Sequence, residues 1–133
     1  MDFPIDSIKD LEKIAEEVKW QYFEKLVEFI FKENDYDTEH NKVVVFDKTK
    51  RQYDLIAKKL NKKFIVECKK HKYIPPGKLT KQVEKHEERA KMLDSNAQTL
   101  LVTYKQPAFN QINTTYIVSL MKLNWFLNNM HKI

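Results

Sequence analysis

Two short apolar runs, each carrying an acid that a sheet interior would normally exclude, constrain this chain more than any other feature. The first reads Arg51-Gln52-Tyr53-Asp54-Leu55-Ile56-Ala57 and the second Phe64-Ile65-Val66-Glu67-Cys68-Lys69-Lys70. The lysine-rich stretch from Lys58 to Lys63 joins them through Asn61, so they read as the arms of a hairpin. Side chains alternate along a strand, which puts Phe64, Val66 and Cys68 on one face and Ile65, Glu67 and Lys69 on the other. The unbroken apolar character of Leu55-Ile56-Ala57 and Phe64-Ile65-Val66 fits central strands covered on both faces. A carboxylate in such a strand is costly to desolvate unless it is paired or binds a cation. Asp54 can reach the spot where Glu67 and Lys69 emerge. Two carboxylates converging beside an ammonium suit Mg²⁺, which takes few protein ligands and keeps several waters. A structural ion pair between Asp54 and Lys69 is the alternative, and it leaves Glu67 without a role.

The remaining pattern supplies helices and further strands around this hairpin. Residues 7–33 keep helical spacing, with Ser7 as N-cap, a shift of phase near Lys19, and Asn34-Asp35 as the end. That shift implies one bent helix or two helices meeting there. A β-branched run at residues 42–47 reads as the first strand, residues 52–58 and 63–70 as the second and third. His71 to Lys78 reads as loop, since Pro75-Pro76-Gly77 bars helix and strand. Residues 79–93 form a helix that buries Leu79, Val83, Ala90 and Leu93, with Gln82, His86 and Arg89 as a polar stripe close to that face. Residues 98–104 and 115–119 read as strands with a loop between, and 122–130 as a final helix. The order α-β-β-β-α-β-β-α implies an α/β fold, a central mixed β-sheet flanked by helices, in one domain across residues 1–133.

Charge is distributed unevenly. Residues 1–40 carry five Lys against twelve Asp and Glu, whereas residues 58–91 carry eleven Lys and one Arg against four Glu. The basic stretch is the one that contains Glu67 and Lys69, which favours a polyanion as partner over a merely solvated lysine surface. Lys58, Lys63, Lys70, Lys72 and Lys78 are the candidate nucleic-acid contacts. No apolar run approaches the roughly 20 residues that span a bilayer, and the N-terminus does not read as a signal peptide. A single cysteine excludes an intramolecular disulfide and fits a reducing cytoplasm. Cys68 with scattered histidines lacks zinc-ligand spacing, and no Ser-His-Asp pattern appears.

Glu24 borders the apolar face of the first helix, with Trp20, Val27 and Phe31 as near neighbours. It is there paired, protonated or useful, or else reaches solvent at the helix edge, and Glu28 is the alternative one turn on. Asp54, Glu67 and Lys69 in the spacing Asp-x12-Glu-x-Lys resemble the PD-(D/E)xK signature of the restriction-endonuclease-like nuclease superfamily. Phe23-Glu24-Lys25-Leu26-Val27, Asp54-Leu55-Ile56 and Ile65-Val66-Glu67-Cys68-Lys69 bring the resemblance closest to Mrr-type restriction endonucleases, with archaeal Holliday-junction resolvases next. The Pro or Gly frequent before the Asp in these families is replaced by Gln52-Tyr53.

The resemblance implies a Mg²⁺-dependent DNA endonuclease in which Mn²⁺ can substitute. Asp54, Glu67 and the Cys68 carbonyl would hold the ion, Lys69 would orient the attacking water or offset transition-state charge, and Glu24 would join the metal site. Gln82 would position water or phosphate. The substrate implied is double-stranded or branched DNA, and the small size implies a homodimer or a partner chain for duplex cutting. A junction resolvase, or a binding module that keeps the fold without catalysis, are the competing readings.

Overall fold

A computed structural model of the chain describes residues 22–69 and 74–130. The first part of the helix expected over residues 7–33, up to residue 21 and including its Ser7 cap and the shift near Lys19, and the lysines Lys70 and Lys72 lie outside the described residues. The chain runs through α1 (Phe23–Glu33), β1 (Asp37–Phe46), β2 (Thr49–Lys59), β3 (Lys62–Lys69), α2 (Pro76–Leu93), β4 (Gln98–Thr103), β5 (Gln111–Ile112), β6 (Thr115–Ser119) and α3 (Leu120–Asn129). Six strands form one sheet in the order β1-β2-β3-β4-β6-β5. β1, β2 and β3 are antiparallel, β4 pairs parallel with both β3 and β6, and β5 is antiparallel to β6. The mixed sheet flanked by helices is therefore the architecture formed.

Local chemistry explains where each element stops. α1 ends in a Schellman arrangement, with Tyr36 N–H on the Phe31 carbonyl and Asp35 N–H on the Lys32 carbonyl. Asp35 takes the left-handed conformation (φ 67°), and the Tyr36 ring meets Phe31 edge-on at 5.2 Å to close the motif. The hairpin turns place Asp47 and Leu60 at positive φ, 55° each, a conformation usually filled by Gly or Asn. The chain has one glycine to spare for such positions, and it lies elsewhere, at Gly77.

Several boundaries differ from the sequence pattern, β2 among them, which begins at Thr49 rather than residue 52. α2 begins at Pro76 rather than after Lys78, because the fixed φ of proline and its missing N–H suit a first helical position. β1 begins at Asp37 rather than Lys42, since Asp37–His40 continue the pairing with Leu55–Lys58. The expected loop before Thr115 contains the two-residue β5, and α3 starts directly after Ser119.

Alternation sorts the core onto two sides. Leu55, Ala57, Phe64, Val66, Cys68, Leu100 and Val102 pack against α1 and α3 through Leu26, Val27, Phe31, Leu123 and Phe126. Ile65 and Ile56 meet Ala90 of α2 on the opposite side, where Leu101 and Ile117 meet Leu79 and Val83. Central strands buried on both faces are what the continuous apolar runs require.

Glu87 ties α2 to the far edge of the sheet. Its Oε1 accepts from Asn113 Nδ2 at 3.0 Å, and its Oε2 accepts from Thr114 N at 3.2 Å and from Thr115 Oγ1 at 2.7 Å. Burial alone would raise the Glu87 pKa, but hydrogen bonds from Thr115, Asn113 and Thr114 together hold it below its ordinary value. A folded-state pKa below the unfolded one adds stability that is present above the unfolded value, about 4.3, and is lost as pH falls through the folded one. Glu87→Gln should lower the unfolding free energy at pH 7 by about 1 kcal/mol. Urea titrations between pH 3 and 7 should also show a shallower acid loss for the variant; identical pH profiles would mean that the contact does not hold in solution.

Candidate active site

β2 turns over at Asp54. Leu55, Ile56 and Ala57 alternate between the two sides as expected, yet Tyr53 lies with Ile56 and Ile65 on the α2 side. There the Tyr53 hydroxyl donates to the Arg89 carbonyl at 2.7 Å, which fixes the reversed residue against α2. The β2–β3 ladder ends at the pair Leu55 and Val66. Beyond that pair the Cys68 N–H is donated to Asp54 Oδ2 at 2.9 Å. The side chain thus takes a donor that the neighbouring strand's backbone no longer satisfies.

Glu67 and Lys69 share a face of β3, as alternation requires. Lys69 Nζ stands 3.8 Å from Glu67 Oε1, and both side chains are about a quarter exposed. The alternative ion pair between Asp54 and Lys69 does not form: the ammonium lies nearest Glu67 and Asp54 is engaged by the backbone. On the other side of Glu67, His86 Nδ1 of α2 faces Oε2 at 4.0 Å, while His86 Nε2 is 3.0 Å from the Ile65 carbonyl oxygen. One turn earlier on α2, Gln82 Oε1 is buried with no hydrogen-bond partner among the described residues.

Asp54, Glu67 and Lys69 are therefore brought together around residues 67–69, with Gln82 on the overlying helix. Glu24 reaches the same region from α1, and its Oε2 is held by His40 Nε2 at 2.9 Å. Of the possibilities open to this acid, pairing is the one observed. Glu28 is engaged by Thr38 Oγ1 at 2.7 Å. The Cys68 thiol is buried, and burial, then the charges of Asp54, Glu24 and Glu67, push its pKa well above the ordinary value, with Lys69 opposing. Three carboxylates thus act on one point of the sheet, and the thiol stays protonated and inert.

The candidate nucleic-acid lysines are spread apart. Lys58 and Lys63 pair with each other near the hairpin turn, four residues from Asp54 and Glu67 respectively, or about 13 Å along the strands. Lys63 Nζ is 3.1 Å from Asp94 Oδ2. Lys78 is exposed in the first turn of α2, the end of the helix that follows β3. His86 is the functional candidate that sequence reading placed beside the apolar face rather than in it. Its spacing from Leu79, Val83 and Ala90, all buried with it, is the signal that marks it as inward-facing.

Among the described residues no three of His, Cys, Asp and Glu converge closely enough to hold a metal by themselves. The donor set nevertheless fits a hard divalent cation. Asp54 and Glu67 are carboxylates on adjacent strands, only one lone pair of Asp54 is used by Cys68 N–H, and the soft thiol of Cys68 packs in the core on the α1 side. Such an ion takes one or two carboxylates and completes its shell with water.

The restriction endonuclease family Mrr_cat matches residues 15–108. No curated protein matches the chain. Among solved structures, protein VC1899 from Vibrio cholerae is similar at 18% identity with a TM-score of 0.56, over 93% of this chain and 33% of that one. The protein of unknown function AF1548 is similar at 19% identity with a TM-score of 0.49, over 74% of this chain and 56% of that one. This chain thus spans about a third of the first and little more than half of the second. The likeness to VC1899 shows the fold alone. The matched stretch holds α1, α2, β1 to β4 and every residue of the acidic cluster, and on that match the chain belongs to the Mrr_cat restriction endonuclease family, within the restriction-endonuclease-like superfamily.

Proposed function

We propose that this nuclease hydrolyses phosphodiester bonds of DNA, with Mg²⁺ (or Mn²⁺ in its place) held by Asp54, Glu67 and the carbonyl of Cys68. The observation that carries the reading is the 2.9 Å bond from Cys68 N–H to Asp54 Oδ2, which draws the two halves of the acidic motif together where the ladder stops. The ion would supply Lewis-acid polarisation of the phosphate and a more acidic water. Lys69 offsets the charge that grows on the phosphate oxygens and orients the attacking water. Gln82 Oε1, an acceptor with no partner among the described residues, accepts a hydrogen bond from that water and limits its rotation. Glu24, already held by His40, acts at one remove through water. The surrounding lysines offset the repulsion that two carboxylates exert on an incoming phosphate. No helix among the described residues is long and apolar enough to cross a membrane.

Asp54→Asn, Glu67→Gln and Lys69→Ala should each abolish Mg²⁺-dependent cleavage of plasmid, linear duplex and four-way junction. Asn at position 54 can still accept from Cys68 N–H, so thermal stability in EDTA should stay within about 1 kcal/mol of wild type. Wild type should gain melting temperature on adding Mg²⁺ and the first two variants should not. A buried structural ion pair predicts instead a loss of about 3 kcal/mol in EDTA from breaking it. Full cleavage by Asp54→Asn would end the catalytic reading.

Binding to DNA in EDTA should weaken with salt, log K falling by about 0.9 per phosphate contacted for each tenfold rise in salt. Lys78→Ala should remove about one such contact, while Lys63→Ala, whose ammonium is held by Asp94, should remove less. A flat salt response would point to a protein as the partner of the basic stretch.

A further inference from the structure

β3, β4 and β6 run parallel and in register, so Glu67, Leu101 and Ile117 stand at one level of the sheet, near the strand ends. Two strand spacings of about 4.8 Å separate β3 from β6, which puts Ile117 roughly 10 Å across the sheet from Glu67. There a groove of about 540 Å³ opens between the loop after β4, β6 and α3. Sites that take small molecules run from roughly 300 to 1,000 Å³. Tyr116 and Phe126 line the groove with their rings 5.4 Å apart. Phe109 and Trp125 line it too, yet they are 42% and 61% exposed. Lys122, also exposed, precedes Trp125 by three residues and so shares its face of α3.

The groove is built before anything enters it. Gln106 Nε2 donates to the carbonyls of Phe109 at 3.2 Å and Ile117 at 3.0 Å, and its Oε1 accepts from Ser119 N at 3.0 Å. One side chain thus ties the loop that carries Phe109 to β6 and the start of α3, and a ligand does not have to order it. Charge is one-sided here. No Asp or Glu occurs from residue 95 to residue 133, whereas Lys105, Lys122 and Lys132 do. Glu87, which reaches the β5–β6 turn from α2, is spent on Asn113, Thr114 and Thr115. A surface free of acids complements a polyanion, and exposed aromatic faces stack nucleobases whatever their sequence.

We propose that this groove takes one unpaired nucleobase of the DNA being cut, stacked on Trp125 and Phe109, while the Lys122 ammonium meets its phosphate. This rests on the reading of the chain as a DNA-cutting nuclease, and it names the kind of DNA favoured. A paired base keeps both faces inside its own stack, so only a base outside the duplex presents one to a side chain. The span from Glu67 to Ile117 corresponds to about three nucleotides of stacked strand at about 3.4 Å each. A strand crossing the ends of β4 and β6 therefore joins the acidic cluster to the groove.

Fluorescence anisotropy in EDTA tests this with an oligothymidylate, a fully paired duplex, and that duplex carrying one extra unpaired base. Wild type should bind the first and third more tightly than the second. Trp125→Leu keeps apolar bulk but removes the ring face; it should lose about 5–150-fold on the first and third, and much less on the paired duplex. Trp125→Phe should restore most of that loss. Lys122→Ala should reduce the salt slope on oligothymidylate by about 0.7. Should Trp125→Leu fail to fold, Phe109→Ala reads the same selective loss from the other exposed ring. Equal affinity of wild type and the folded ring variants for all three DNAs would overturn the base site and leave the nuclease reading standing. Loss of self-association by Trp125→Leu in light scattering, with DNA affinity unchanged, would make the groove a contact between copies and overturn it as well. Failure of wild type to bind any of the three would overturn the DNA reading itself, and the base site with it.

Discussion

A single backbone donor, the N–H of Cys68, decides how the centre of this sheet can be built. β2 and β3 pair as an ordinary ladder from their turn to Leu55 and Val66, and there the pairing stops. The next N–H would be an unmet donor inside a layer covered by helices, which costs free energy comparable to a lost hydrogen bond. Asp54 meets it with a carboxylate at 2.9 Å. That choice solves a local problem and creates a charge in a place where charge is costly, next to Glu67 on the adjoining strand. The proposed divalent cation would resolve the second problem, and the interruption of the ladder and the proposed chemistry would then coincide.

The helices reinforce this point from both sides. α2 closes the core over Ile65 and Leu101, and the same face carries Tyr53's partner at Arg89, His86 against Glu67, and Gln82, whose Oε1 has no partner among the described residues. α1 closes the opposite side and brings Glu24 to His40 of the edge strand. Cys68 lies between the layers as a packed, protonated thiol whose environment registers all three acids. Packing and site are therefore not separable here. Each helix that buries the sheet also positions a polar group at the place where the ladder ends.

The hairpin and its facing were legible because two-sided burial leaves an unbroken apolar run, and alternation then assigns every other residue. Asp54, Glu67 and Lys69 followed from that rule. What the sequence concealed depends on contacts between distant elements. Asp37–Asn41 look like loop because an edge strand covered on one side needs few apolar residues, so the His40 partner of Glu24 was not visible. Lys63 reads as a free cation until Asp94, at the far end of α2, is placed beside it. β5 is two residues long, too short for any period to show. The turnover of β2 at Asp54 breaks alternation itself, so no periodic reading could have placed Tyr53 on the α2 side.

The central claim is that Asp54 and Glu67 hold one cation between β2 and β3. Crystals of the wild-type chain soaked in Mn²⁺ and measured at the manganese absorption edge test it directly. The account predicts one strong anomalous peak at roughly 2.0–2.6 Å from both carboxylates and from the Cys68 carbonyl oxygen. A peak confined to Glu24 and His40, or no peak near Asp54 at full soaking, would contradict it.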